Sequence, residues 1–247
     1  MNVYDSNSDK VVIVTGGNRG LGLALVEKIS QSGFKVIAAA RNKTSEIDEL
    51  TNNSSMVFFE KLDLKDLDNI HSWSKKIIDT YGIPYALINN AAIAHDGVLG
   101  TMHESQIQDL ITVNVTGTII LTKYISRSML RNRRGRVINI SSIIASTGFN
   151  GLSVYAASKA ALNGFTKSLA RELGKVNITV NSIAPGYMET NMSAGIKDNQ
   201  LEQIRRRSAL KRLAKTDEVA SAACYLLSKD AEAITGTIIT IDAGNTA

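Results

Sequence analysis

The run Val11-Val12-Ile13-Val14 leads directly into Thr15-Gly16-Gly17-Asn18-Arg19-Gly20-Leu21-Gly22, and a helical stretch follows. Four consecutive β-branched apolar residues suit a strand covered on both faces. Between such a strand and a helix, glycine permits a tight turn, close approach of backbone to a pyrophosphate, and close packing of the helix. A phosphate there meets free N–H groups and the positive end of the helix dipole. A glycine-rich turn by itself is weak evidence, and the strand and helix around it supply the weight.

The same alternation continues along the chain. Strands are expected at 11–15, 35–40, 56–62, 86–89, 136–141, 179–184 and 237–241, with helices at 22–32, 67–81, 104–131, 155–174, 199–209 and 216–228. Alternating strands and helices predict βαβ units and a Rossmann-type, doubly wound parallel α/β sheet of about seven strands with helices on both faces. With no repeat or Pro/Gly/Ser-rich linker, residues 1–247 read as one domain, with a mobile stretch expected at about 188–213. The chain has 44% hydrophobic residues, 21% charged residues and a net charge of +5, a soluble globular balance that suits anionic ligands such as nucleotides. No nucleic-acid module accompanies that charge, and no apolar run approaches the roughly 18 residues of a membrane span. The polar segment Met1 to Asp9 lacks the apolar centre of a signal peptide, so a cytoplasmic location is expected. Cys224 is the single cysteine and excludes an internal disulfide, while His71, His95 and His103 are too scattered for a metal site.

Candidate chemistry lies further on. In Ser153-Val154-Tyr155-Ala156-Ala157-Ser158-Lys159, a phenol and an ammonium stand four residues apart, on one face of a helix. An isolated tyrosine titrates near about 10, and a nearby cation favours its phenolate, so Lys159 is expected to tune Tyr155 as a proton donor. Upstream, Asn89-Asn90-Ala91-Ala92 ends the fourth strand and Ser141-Ser142 ends the fifth. Strand two ends without the acid that, about 20 positions after the glycines, would hold the ribose 2′-hydroxyl of NAD. Arg41 and Asn42 follow it instead, and Arg19 lies in the glycine loop, so two guanidiniums can grip a 2′-phosphate and NADPH is the expected cofactor.

In this order and at these separations, the motifs resemble the short-chain dehydrogenase/reductase family. The spacing of Gly16, Gly20 and Gly22 is similar to that family's fingerprint and argues against a methyltransferase. The resemblance implies hydride delivery from a nicotinamide to a carbonyl carbon, with Tyr155 protonating the oxygen, Ser142 holding it, Lys159 contacting the ribose, and Asn114 supporting proton supply through a water. Alignment on Val137-Ile138-Asn139-Ile140 makes Ser142, 13 residues before Tyr155, the catalytic hydroxyl and Ser141 its structural neighbour. It further implies cofactor contacts from Gly16, Asn18, Arg19, Gly20, Leu21, Gly22, Arg41, Asp63, Leu64, Asn90, Ala91 and Ala92, and from Pro185, Gly186, Met188 and Thr190 after strand six. Asp63 reads equally as an adenine acceptor and as a turn-starting aspartate. Asn114 reads as the water holder or as a capped kink. Ala92 departs from the family's usual glycine, which raises the question of the backbone angle there.

From Asn89 through Gly244 the chain is similar to bacterial 3-oxoacyl-acyl-carrier-protein reductases, which implies a 3-oxoacyl thioester substrate in fatty-acid or polyketide-type synthesis. Arg133 matches a position that meets the acidic carrier in that family; a second such arginine falls at Val176 here, with Lys175 beside it. Arg205, Arg206 and Arg207 add positive charge, which reads equally as carrier docking or as a solvated face. The resemblance also implies a homotetramer built on helices 104–131 and 155–174 and the last strand. Other ketones, acyl-CoA or sugars remain alternative substrates, and a noncatalytic dinucleotide sensor would have no need of Asn114, Ser142, Tyr155 and Lys159 together.

Overall fold

A computed structural model describes residues 6–188 and 198–247. Strands β1 (Val11–Thr15), β2 (Lys35–Ala40), β3 (Val57–Lys61), β4 (Ala86–Asn89), β5 (Gly135–Ile140), β6 (Ile178–Pro185) and β7 (Ile238–Ile241) form one sheet in the order β3-β2-β1-β4-β5-β6-β7. Every neighbouring pair is parallel. The chain therefore builds outward from β1 to β3, then returns to the other side of β1 with β4. That reversal leaves a crevice at the carboxyl ends of β1 and β4, where ligands bind in sheets of this kind.

Alternation along β1 explains its unbroken apolar sequence. Val12 and Val14 join a core with Leu25, Val26 and Ile29 of α1 (Gly20–Gln31) and Val219, Ala223 and Leu226 of α9 (Thr216–Leu227). Val11 and Ile13 point the other way, toward Ile70, Trp73 and Ile77 of α3 (Asn69–Tyr81), Leu121 and Ile125 of α5 (Thr118–Asn132), and Leu169 of α7 (Ser153–Leu173). Fully burying one Leu or Ile side chain contributes about 1.5–3 kcal/mol, so these two stripes hold the helices onto the sheet.

Sequence expectation and structure part company at three places. Helix α2 (Ser45–Asn53) is capped by Thr44, whose hydroxyl accepts from Ile47 N at 3.4 Å, and it buries only Ile47, too little apolar periodicity to stand out. A short α6 (Ile144–Thr147) follows β5. The expected helix 104–131 comprises α4 (Glu104–Ile111), a π-helical turn at Thr112–Gly117, and α5. Thr118 Oγ1 donates to Val113 O, five residues back, at 3.3 Å, and a Cβ at Gly117 would stand 2.3 Å from Leu64 O. Glycine is thus what lets this turn press against the segment after β3. Such turns concentrate at functional sites.

On the surfaces expected to mediate assembly, Leu110, Leu121 and Ile125 face the core while Ile111 and Ile119 are each 36% exposed. Helix α8 (Asp198–Arg207) carries the arginine cluster, and residues 189–197 of the expected mobile stretch, Thr190 among them, lie outside the described residues. Among the described residues, no helix is long and apolar enough to cross a membrane.

Candidate active site

At the end of β1 the chain turns through Gly16, whose φ of +66° lies in the left-handed region, and enters α1 at Gly20, whose φ is +54°. The turn is held by its neighbour across the crevice. Asn90 Nδ2 donates to Thr15 O at 2.9 Å and to Gly16 O at 3.3 Å, while Thr15 Oγ1 accepts from Asn90 N and Ala91 N, both at 3.0 Å. Arg19 caps α1 in extended backbone without a side-chain bond to the first turn, which leaves N–H groups there for an anion. A Cβ on Gly22 would lie 1.9 Å from Gly16 O, so only glycine fits.

A cleft of about 320 Å³ opens over this turn and is lined by Gly16, Asn18, Arg19, Leu21, Gly22, Arg41, Asp63, Leu64, Asn90, Ala91 and Ala92. Arg19 and Arg41 are both exposed at its rim. Asn18 ties the two loops, since its Nδ2 donates to Asn42 O at 3.0 Å and its O accepts from Thr44 Oγ1 at 2.7 Å. Asp63 Oδ1 accepts from Lys65 N at 2.9 Å, the turn-starting bond, and the residue also lines the cleft. Ala92 is not among the residues with positive φ, so its methyl group sits on ordinary backbone. These features fit a dinucleotide: a glycine cradle that a Cβ would fill, a helix N-terminus for phosphate, and two guanidiniums at the ribose end of β2.

The candidate catalytic residues converge at the carboxyl end of β5. Tyr155, on the first turn of α7, stands beside the buried Ser142 hydroxyl, which accepts from Ile144 N at 3.2 Å. Ser141 faces away and donates to Lys159 O at 3.1 Å, the structural place expected for it. Asn114 lies in the π turn. Its Oδ1 accepts from Ile93 N at 2.8 Å, and its Nδ2 donates to Ile93 O at 2.9 Å and to Ser158 Oγ at 3.1 Å. The irregular helix and the polar tie are therefore one feature, and the tie reaches Ser158, beside Lys159.

One expectation needs correction. Against the lowering expected from Lys159, burial pushes the Tyr155 phenol up to about 12, and the neighbouring Ser142 hydroxyl pulls it down only in part. The ammonium instead donates to Ile140 O at 2.8 Å and lies 5.7 Å from the Tyr155 ring centroid. Burial drops its own pKa to about 8.

Comparison with known proteins decides the family. Residues 16–246 match the family profile described as enoyl-(acyl carrier protein) reductase, a short-chain dehydrogenase/reductase group. The chain is 36% identical over 238 residues to the 3-oxoacyl-[acyl-carrier-protein] reductase of Vibrio cholerae, covering 95% of this chain and 96% of the relative. The 3-oxoacyl-[acyl-carrier-protein] reductase of Escherichia coli matches at 36% with the same coverage. That of Chlamydia muridarum matches at 33% over 240 residues, 96% of this chain and 97% of the relative. The chain belongs to the short-chain dehydrogenase/reductase family. It is an oxidoreductase.

Beyond the motifs, this short-chain oxidoreductase holds polar groups that sequence reasoning passed over. Asn89 Nδ2 donates to Thr122 Oγ1 at 2.9 Å and to Asn139 Oδ1 at 2.8 Å, and Asn139 Nδ2 donates to Thr166 Oγ1 at 2.8 Å. This buried ladder ties β4 and β5 to α5 and α7, directly below the candidate catalytic groups. Its signal was the pair of asparagines interrupting otherwise apolar strands. After β6, Gly186 N donates to Ile241 O at 2.9 Å, and a Cβ on Gly186 would lie 2.6 Å from Asp242 Cβ. Pro185 O accepts from Ile143 N at 3.1 Å, which draws this loop to the Ser142 side, and Met188 packs on the core. Arg133 stands in left-handed backbone with φ +48° and reaches Lys175 O at 3.5 Å, so it does share a surface with the Lys175-Val176 turn. Arg205 and Arg206 each pair with Glu202, at 3.6 and 3.2 Å. No cluster of metal-ligating side chains occurs among the described residues.

The Lys159 shift has a signed pH consequence. Its ammonium is charged below about pH 8 and neutral above, well short of the usual lysine range. We expect kcat/KM for the dinucleotide, which reports free-enzyme groups, to fall as pH rises through about 8. Folding stability should move oppositely. Between about pH 8 and the onset of tyrosine ionisation near 10, the unfolded chain binds the extra proton, so native stability rises with pH. Denaturant titrations of the native protein and of Lys159→Met check this: the rise should be absent from the variant, and equal slopes in both would refute it.

Proposed function

We propose that this protein is an NADPH-dependent reductase that converts 3-oxoacyl thioesters carried on acyl carrier protein to 3-hydroxyacyl thioesters in fatty-acid synthesis. The carrying observation is that the Ser142 hydroxyl, the Tyr155 phenol and the buried Lys159 stand together after β5, on the same carboxyl edge of the sheet as the glycine-lined cleft. The relatives named as 3-oxoacyl-[acyl-carrier-protein] reductases support the choice of substrate.

When bound, the nicotinamide supplies a hydride to the carbonyl carbon. Ser142 holds the carbonyl oxygen and fixes it near the phenol, and Tyr155 gives that oxygen its proton. Burial keeps Tyr155 protonated at neutral pH, so the donor is loaded; charge growing on the carbonyl oxygen draws the proton across. Lys159 supplies positive charge beneath the ring and is oriented by Ile140 O. Asn114, through Ser158, fixes the start of the route by which a proton returns.

NADPH is preferred over NADH because Arg19 and Arg41 flank the ribose end of the cleft, with no acid following Ala40. Replacing both arginines by neutral residues is expected to weaken NADPH binding by about 10²-fold or more, at about 1.5–3 kcal/mol for a hydrogen bond to a charged group, and NADH binding severalfold at most. Fluorescence titration with both cofactors reads this, and equal losses would assign the arginines to solvent.

The test of the function is NADPH oxidation with an acetoacetyl carrier thioester, its short CoA analogue, and a free monoketone. The carrier-bound substrate should give the highest kcat/KM. Its advantage should shrink with salt, because exposed Arg133, Arg206 and Arg207 act through fields screened beyond about 10 Å at 0.1 M ionic strength. Equal rates on all three, at every salt concentration, would make the protein a general carbonyl reductase.

A further inference from the structure

Among the described residues, four buried side-chain atoms lack a hydrogen-bond partner: Trp73 Nε1, Asn89 Oδ1, Arg136 Nε and the Tyr187 hydroxyl, the last of them in the loop after β6. A buried phenol usually finds a partner, and an orphan beside a binding site points to a ligand atom as the missing one. Tyr187 follows Pro185-Gly186 at the end of β6, and its ring is half-buried against Phe149, with centroids 5.9 Å apart and planes at 62° in an edge-on contact. That contact joins it to the segment after β5 that also carries Ser142. The same segment is tied to the loop after β4 by Gly97 N donating to Gly151 O at 3.0 Å. Pro185 O accepts from Ile143 N at 3.1 Å, so the loop that carries Tyr187 is tied by its backbone to the residue next to Ser142. Burial and the neighbouring Asp96 carboxylate push the Tyr187 pKa up to about 12, which keeps the group a neutral donor across the working pH range.

A 3-oxoacyl thioester presents two carbonyl oxygens separated by a single methylene. Ser142 and Tyr155 together serve the one that is reduced. A site selective for the pair needs a second donor alongside, and Tyr187 is the unmatched donor there. We propose that the Tyr187 hydroxyl donates to the thioester carbonyl and so makes the site selective for 3-oxoacyl compounds over simple ketones. This inference rests on the 3-oxoacyl reading above and adds the residue that would enforce it.

The experiment compares the native enzyme with Tyr187→Phe, which keeps the ring and its contact with Phe149. Two substrates of matched length are used: the acetoacetyl thioester of N-acetylcysteamine, and the thioether ketone in which the thioester carbonyl is a methylene. The native enzyme should favour the thioester by about tenfold in kcat/KM, the size of one hydrogen bond. The variant should lose that factor on the thioester, chiefly in KM, and change less than twofold on the thioether ketone, with NADPH affinity intact. Equal loss on both substrates, no loss on either, or loss of NADPH affinity would make Tyr187 a packing residue and overturn the proposal. A native enzyme that reduces the thioether ketone and leaves the thioester untouched would instead overturn the functional reading itself.

Discussion

Tyr155→Phe is expected to lower kcat for carbonyl reduction by about 10²–10⁴-fold, the range for a positioned general acid, while the dinucleotide still binds. The phenyl ring keeps its place over Lys159, and Ser142 keeps the bond from Ile144 N, so the substitution removes a proton and little packing. Stability should change little. The phenol stands in a setting that holds its pKa at about 12, and the variant removes its hydroxyl while the neighbouring Ser142 keeps its bond from Ile144 N. Single-turnover kinetics and a cofactor titration on the same preparation separate the two effects. Turnover near that of the native enzyme would remove Tyr155 from the reaction.

Gly22→Ala is expected to cost dinucleotide affinity by at least about 100-fold and to destabilise the fold by about 1–3 kcal/mol, the range for overpacking a well-packed site. The added methyl would stand 1.9 Å from Gly16 O and 2.7 Å from Asn90 Nδ2. Neither can retreat freely: Gly16 holds the left-handed turn, and Asn90 is bonded to Thr15 O and Gly16 O. Gly164 is the control. It lies within α7, where an added methyl would meet nothing within 4 Å, so Gly164→Ala should be neutral or stabilise by about 0.5–1 kcal/mol. Thermal melts of the two variants, with and without cofactor, read the contrast, and similar behaviour would refute the close-approach argument.

Most of the fold was legible because its strands are buried on both faces and punctuated by turns. β1, β2 and β4 have the bounds expected from sequence, 11–15, 35–40 and 86–89. α2 escaped notice because a helix that buries one residue leaves almost no periodic trace. The residues of the site were legible as spacing, and their electrostatics were not. Four residues on a helix place Lys159 on the same face as Tyr155, yet the ammonium reaches Ile140 O on β5 and faces the ring, because a buried lysine seeks a carbonyl acceptor. Tertiary contacts of that kind leave no local pattern. Asn89 and Asn139 left a faint one, as amides in apolar strands, and Tyr187 left none, since an unpaired hydroxyl is visible only once its surroundings are folded.

The central claim is that the protein reduces the ketone of a 3-oxoacyl thioester with NADPH. The most direct measurement follows acetoacetyl carrier thioester labelled with carbon-13 at C3 by NMR, alongside NADPH oxidation, with a crotonyl thioester as the parallel substrate. The account predicts that the C3 carbonyl signal is replaced by a carbinol signal, one for each NADPH consumed, and that the crotonyl double bond is left intact. Reduction of the crotonyl double bond with the C3 carbonyl unchanged would contradict it.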